Sequence, residues 1–126
     1  MRIFKTRWFT RFARQEKIAD DGLREAIERA ERGLVDADLG GGLIKQRVAR
    51  QGQGRSGGYR AIIAYRAADK AFFLHGFAKS DQENIAGDEL IALRKFGGRL
   101  LGADVETLNA MLEDGSLKEV NDDKEK

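Results

Sequence analysis

Apolar residues recur with two different periods along the chain, and the change of period predicts an α+β fold. Residues 8–13 and 23–34 repeat apolar positions every three to four residues, the spacing of helices that bury one side. Residues 2–5, 43–49, 59–66 and 71–78 instead show the alternation or the continuous apolar run of strands. We therefore predict a small antiparallel β-sheet, a meander of the last three strands, packed with N-terminal and C-terminal helices.

Polar residues at the ends of these segments predict the helix boundaries. Thr6 is placed to cap a helix that runs to about Lys17, and its side with Trp8, Phe9, Phe12 and Ala13 is expected to pack on the sheet. Asp20 or Asp21 is predicted to cap the second helix. A turn is expected at 39–42, a capped helical turn at 80–83, an interruption at Gly87-Asp88 and a helix over 90–101. A short helix after Asp104 and an edge strand at 117–120 complete the prediction.

Length and composition limit the class of protein. The 126 residues fit a single domain, expected over 1–120, followed by a polar tail at 121–126 that we expect to fray. No apolar run approaches the ~20 residues of a membrane span, and charges at Lys5 and Arg7 interrupt the N-terminal segment where a signal peptide would be apolar. We expect a cytoplasmic protein with no membrane association. With no cysteine and one histidine, we expect no metal site and no cofactor.

Positive charge is concentrated in the predicted sheet. Residues 39–80 contain eight Lys or Arg and one acid, a net charge of +7, whereas residues 81–126 contain six basic and twelve acidic residues, a net charge of −6. The whole chain carries only +2. A clustered positive field attracts polyanions, so the sheet is predicted to bind phosphate groups.

Several side chains of this basic segment are candidates for contacts with RNA. Lys45 and Arg47 share one side of a predicted strand, Arg60 begins the next strand, and Lys79 follows the third. Further candidates are the basic residues Arg50, Arg55 and Arg66 and the aromatic residues Tyr59 and Tyr65. Guanidinium groups bind phosphate oxygens in pairs, and tyrosine rings stack on unpaired bases.

Two other features do not indicate catalysis by themselves. The glycine-rich segment 51–58 lacks the Lys-Ser/Thr step and the following helix of a nucleotide-binding loop, so it is interpreted as a hairpin connection. His75 stands among apolar residues, which favours a buried, hydrogen-bonded histidine over a catalytic one.

Three segments of the chain resemble those of a known family. They are GGLIKQRVAR at 41–50, RSGGYR at 55–60 and FFLHGFAKS at 72–80. With the order of predicted elements, they make the chain similar to the RelE/ParE superfamily of type II toxin–antitoxin toxins, in particular its phage-derived, HigB-like branch. The resemblance implies a small antiparallel sheet flanked by helices, a cognate antitoxin partner and, for RelE-like members, endoribonuclease activity on mRNA in the ribosomal A site.

The resemblance also implies roles for individual residues. Arg60 matches the arginine after Gly-Tyr that such toxins use against the scissile phosphate, and Lys79 matches the basic residue just beyond the last core strand. Lys45 and Arg47 resemble the basic pair on the strand before the hairpin, with an offset register. Two departures are visible: Ile85 stands near the position of a RelE tyrosine, and residues 103–126 extend beyond a minimal member.

The implied reaction needs no metal. A 2′-OH attacks the adjacent phosphate and gives a 2′,3′-cyclic phosphate and a free 5′-OH, with a base, an acid and cations around the phosphate. We hypothesise that Arg60 and Lys79 stabilise the phosphate while Lys45 or Arg47 transfers protons or orients it. A ParE-like gyrase inhibitor and a non-catalytic RNA-binding accessory protein remain as alternative functions.

Overall fold

The computed structural model describes residues 1–49, 58–78 and 85–120, which form six strands and four helices. The strands are β1 (Arg2–Thr6), β2 (Ala37–Gly40), β3 (Leu43–Val48), β4 (Tyr59–Arg66), β5 (Lys70–Ala78) and β6 (Leu117–Glu119). The helices are α1 (Arg7–Glu16), α2 (Asp20–Glu31), α3 (Gly87–Leu101) and α4 (Val105–Glu113).

The strands form one sheet in the order β2-β3-β4-β5-β1-β6. Neighbouring strands are antiparallel except β1 and β5, which run parallel. The predicted α+β class and the antiparallel meander, here β3-β4-β5, are confirmed. The first strand is inserted beside the last strand of the meander, so the sheet is mixed rather than wholly antiparallel.

Helices α1 and α2 cover one side of the sheet, which we call the α1/α2 face. Thr6 caps α1 as predicted, because its hydroxyl accepts a hydrogen bond of 3.1 Å from the N–H of Phe9. This fixes the start of α1 and directs Phe9 and Ala13 into the core. The core of this face also contains apolar residues of α2 and of alternate strand positions, including Leu23, Ile27, Ile44, Val48, Ile63 and Phe73.

Helices α3 and α4 pack against the opposite side, the α3/α4 face. Its core contains Phe4, Leu43, Ile62, Phe72, Leu74, Leu100, Leu108 and Leu117. Gly97 lets α3 approach the sheet closely, since a Cβ at that position would lie 3.0 Å from Cβ of Ala64 and 3.1 Å from Cδ2 of Leu43. The second half of α3 therefore covers the end of the β3-β4 pair that contains Leu43 and Ala64.

Some boundary predictions were wrong. The predicted turn at 39–42 begins inside the edge strand β2, whose Asp and Gly residues are unfavourable in strands. Ala19 rather than Asp20 or Asp21 precedes α2, and the two aspartates lie in its first turn, where they interact favourably with the helix dipole. Helix α3 begins at Gly87 without the predicted interruption. The predicted helical turn at 80–83 and the tail at 121–126 lie outside the described residues.

The side of α1 that was expected to pack on the sheet is only partly buried. Trp8 is 45% exposed, and its ring stacks on His75 with centroids 4.6 Å apart. Within the ranges described, no helix has the length and apolar character needed to cross a membrane.

Candidate nucleic-acid interface

Strand alternation brings three of the predicted cations to one side of the sheet. Ile44 and Val48 belong to the core of the α1/α2 face, so Lys45 and Arg47 project from the α3/α4 face. Arg60 lies directly opposite Arg47 on β4 and projects from the same face. Lys45 and Arg47 are separated by two residues, or about 7 Å along the strand. We call Lys45, Arg47 and Arg60 the cationic face.

Arg47 is bound by a carboxylate of the protein. Asp36 accepts hydrogen bonds from the backbone N–H of Arg47 at 2.7 Å and from its Nη2 at 3.3 Å. The buried Arg29 lies 3.5 Å from the same carboxylate and donates to the carbonyl of Arg47. Partial desolvation opposes ionisation of Asp36, but the hydrogen bonds and charges of Arg47 and Arg29 outweigh it and lower the pKa of this carboxyl. Arg47 is thus held in place with its charge partly compensated.

Arg60 has a different environment. Its Nη1 is buried and has no hydrogen-bond partner among the described residues. A buried guanidinium N–H without an acceptor is costly, and such a group is stabilised when an anion supplies the acceptor. On the other side of Arg60 the register places Phe77 of β5, so the arginine lies between another arginine and an aromatic ring.

The structure separates the two tyrosines from this surface. Tyr59 and Tyr65 alternate with Arg60 on β4 and therefore project from the α1/α2 face. Tyr59 is 6% exposed and its hydroxyl donates to Glu16 at 2.7 Å, while the hydroxyl of Tyr65 donates to Glu31. Neither ring lies beside Arg60, so the predicted stacking of bases on these rings is not supported by their positions.

The other predicted contacts are distributed as follows. Arg66 lies at the far end of β4, where its Nη1 donates to the carbonyl of Leu101 at 3.0 Å, so it is not part of the cationic face. Arg50, Arg55 and Lys79 lie outside the described residues. Lys79 directly follows β5, the strand that pairs with β4 beside Arg60.

His75 is a neighbour of the cationic face that the sequence did not single out for chemistry. It pairs with Ile62, two residues from Arg60, and its ring centroid lies 6.3 Å from that of Phe77. The histidine is half-buried, and this burial lowers its pKa, although the charge of Glu89 opposes the shift. The imidazole is therefore neutral at pH 7. The sequence predicted a buried, hydrogen-bonded histidine at position 75. Its burial is partial, and within the described ranges the ring stacks on Trp8 and forms no hydrogen bond.

Lysine, arginine and histidine side chains, with the Asp36 carboxylate that binds Arg47, thus provide polar groups in this region. In the part of the chain that the structure describes, no three His, Asp or Glu side chains converge as a metal site requires. The arrangement can hold a phosphate group by charge and hydrogen bonds and can exchange protons with it.

Comparison with known proteins agrees with this geometry. No curated protein matches the chain significantly. The family model described as the RelE toxin of the RelE/RelB toxin–antitoxin system matches residues 1–120, nearly the whole chain. With the sheet, its flanking helices and the cationic face already in place, this match shows that the chain belongs to the RelE toxin family of toxin–antitoxin systems.

Proposed function

We propose that this chain is a toxin that cleaves mRNA on the ribosome and so inhibits translation. The observation that carries the proposal is the buried Nη1 of Arg60, which has no hydrogen-bond partner among the described residues and lies with Lys45 and Arg47 on one face of the sheet. A backbone phosphate that reaches this nitrogen would accept the hydrogen bond for which the described residues supply no partner. Membership in a family of toxins supports the biological role.

The proposed reaction breaks one phosphodiester bond. The 2′-oxygen of a ribose attacks the adjacent phosphorus and gives its proton to a base, while the bond from phosphorus to the 5′-oxygen breaks and that oxygen takes a proton. The products are a 2′,3′-cyclic phosphate and a 5′-OH. Negative charge grows on the phosphoryl oxygens, and Arg60, with Lys79, stabilises it.

The remaining groups divide into orienting and proton-transferring roles. Arg47 is held by Asp36, which suits a residue that orients the phosphate rather than one that moves. Lys45 is proposed for proton transfer. His75 is a second candidate, because a neutral imidazole accepts a proton at pH 7 without further change.

The proposed partners follow from the same activity. One is mRNA in the ribosomal A site, which places the toxin in the cytoplasm. The other is a cognate antitoxin, as membership in a toxin–antitoxin family implies. Assignment to the HigB-like branch within the family stays a prediction.

Induced expression in bacteria tests the proposal. We expect growth arrest, loss of protein synthesis and new mRNA 5′ ends within translated regions, with the arrest relieved by an antitoxin encoded beside the gene. A DNA-damage response without new mRNA ends would indicate a gyrase inhibitor instead. Unchanged growth and intact mRNA would indicate a non-catalytic RNA-binding protein.

A further inference from the structure

A second cationic surface lies at the opposite edge of the sheet. Arg7, Arg11 and Arg14 of α1 and Lys118 of β6 line a cavity of about 360 Å³. Strands β5 and β1 separate β6 from β4, so the cavity is three strand spacings, roughly 14 Å, from the strand of Arg60. It is therefore separate from the cationic face.

The described residues leave most of the positive charge of this cavity uncompensated. Arg11, Arg14 and Lys118 are exposed, and none of them has an ion pair among the described residues. Glu119 also lines the cavity, but its carboxylate is occupied by two hydrogen bonds of 2.9 Å from Arg2. The wall thus offers three cations without an acidic partner in the described ranges and a carboxylate that Arg2 already neutralises.

Two further groups shape the cavity. Arg7 is fixed at its rim because its Nε and Nη2 donate to the carbonyls of Gly115 and Asp114 at 3.3 and 3.1 Å. Thr10 also lines the cavity, and its Oγ1 is buried without a hydrogen-bond partner in the described part of the chain. A buried hydroxyl with no partner is unusual, and an oxyanion that reached this oxygen from the cavity would accept its hydrogen bond.

We propose that this cavity binds a backbone phosphate of an RNA strand outside the segment that is cleaved. Residues 7, 11 and 14 follow one side of the helix with rises of about 6 Å and 4.5 Å, so they present guanidinium groups in a row rather than at a single point. Guanidinium forks, an ammonium and a hydroxyl are all donors, which matches a phosphate with acceptor oxygens in several directions. This proposal rests on the proposed function in one respect: the polyanion that the cavity binds is taken to be RNA.

The test measures binding of a labelled single-stranded 2′-O-methyl RNA, which cannot be cleaved by attack of the 2′-oxygen. Fluorescence anisotropy at several salt concentrations gives the dependence of log Kd on log salt concentration. The Arg11→Gln/Arg14→Gln protein is compared with Lys95→Gln/Arg99→Gln, which removes the same charge from exposed positions on α3. Thermal unfolding of each protein verifies that the fold is retained.

We expect Arg11→Gln/Arg14→Gln to weaken binding and to lower the salt slope by about 1.4, which is two contacts at about 0.7 each for single strands. The α3 variant should leave the slope unchanged. Equal slopes in both variants would overturn the proposal. Two other results would also overturn it. If Arg11→Gln/Arg14→Gln lost binding to polyglutamate but bound RNA unchanged, the cavity would recognise an acidic protein partner. If inorganic phosphate displaced the RNA at the same concentration as the RNA strand, the cavity would be a site for a small anion.

Failure of this proposal is distinguishable from failure of the proposed function. Intact mRNA cleavage with an unchanged salt slope in Arg11→Gln/Arg14→Gln would reject only the second site. A lowered slope in a protein that cleaves no mRNA would reject only the nuclease.

Discussion

Arg47 and Arg60 lie directly opposite each other on β3 and β4, and of these two arginines Asp36 binds Arg47. Like charges at opposed positions of a sheet repel each other, and the Asp36 carboxylate offsets part of that repulsion. Arg60 keeps a buried Nη1 that lacks a partner within the described ranges. Arg47 is therefore held in place by the protein, whereas Arg60 remains available to an anion.

We predict that Asp36→Asn destabilises the protein by about 1–3 kcal/mol at pH 7, because Arg47 and the buried Arg29 lose an ionised acceptor. Since folding lowers the pKa of Asp36, its contribution is present above the unfolded value of about 3.9 and is lost as the pH falls through the folded value. Urea unfolding at pH 7, 5 and 3 should show the difference from wild type shrinking at pH 3.

Glu113→Gln is the control for Asp36, since Glu113 is exposed on α4 and forms no hydrogen bond or ion pair with the residues that the structure describes. It should change stability by less than about 0.5 kcal/mol. A difference between wild type and Asp36→Asn that stays constant from pH 7 to pH 3 would contradict the assigned interactions.

Gly76→Ala is predicted to destabilise the protein by about 1–3 kcal/mol through overpacking. A Cβ at Gly76 would lie 2.8 Å from Cδ2 of Phe12 and closer still to Cε2 of the same ring. Gly98→Ala serves as the matched control, because that position of α3 has nothing within 4 Å of an added Cβ. It should gain about 0.5–1 kcal/mol from helix propensity. Denaturant unfolding measures both, and equal effects would refute the close approach of α1 to β5.

The hydroxyl of Tyr65 should titrate at unusually high pH. Partial burial, the hydrogen bond to Glu31 and the charge of Glu31 raise the pKa of Tyr65 to about 12. This interaction stabilises the fold fully below the unfolded value of about 10 and is lost as the pH rises through 12. With only two tyrosines in the chain, Tyr59→Phe leaves Tyr65 as the single chromophore for a tyrosinate absorbance titration.

Adding Glu31→Gln to the Tyr59→Phe protein should move the Tyr65 midpoint down toward 10, because the charge is removed and the amide oxygen of glutamine is a weaker acceptor than a carboxylate. A midpoint near 10 in both proteins would show that Tyr65 and Glu31 are not paired.

Much of the fold could be predicted from local patterns. The alternation of Ile44 and Val48 with Lys45 and Arg47 indicated both the strand and the sides on which these residues lie. Thr6 and Asp104 cap their helices as predicted, since a cap depends on residues within one turn. The parallel pairing of β1 with β5 could not be predicted, because the partners are distant in sequence and neither strand contains information about its neighbour.

The candidate site was only partly predictable for the same reason. The alternation of side chains along β4 was sufficient to assign Tyr59 and Tyr65 to the side of the sheet opposite Arg60. The prediction that RNA bases stack on these tyrosines beside Arg60 did not take this alternation into account. The pairing of Arg47 with Asp36 depends on the segment before β2, to which the sequence patterns assigned no element. Contacts between elements, rather than the elements themselves, were missed.

The central claim is that Arg60 stabilises the phosphate during mRNA cleavage. The most direct measurement is the rate of ribosome-dependent mRNA cleavage in a reconstituted translation reaction, with Arg60→Ala compared with Arg99→Ala on the exposed side of α3. We predict a loss of roughly 10²–10³-fold for Arg60→Ala and wild-type cleavage for Arg99→Ala. Wild-type cleavage by a folded Arg60→Ala protein would contradict the account.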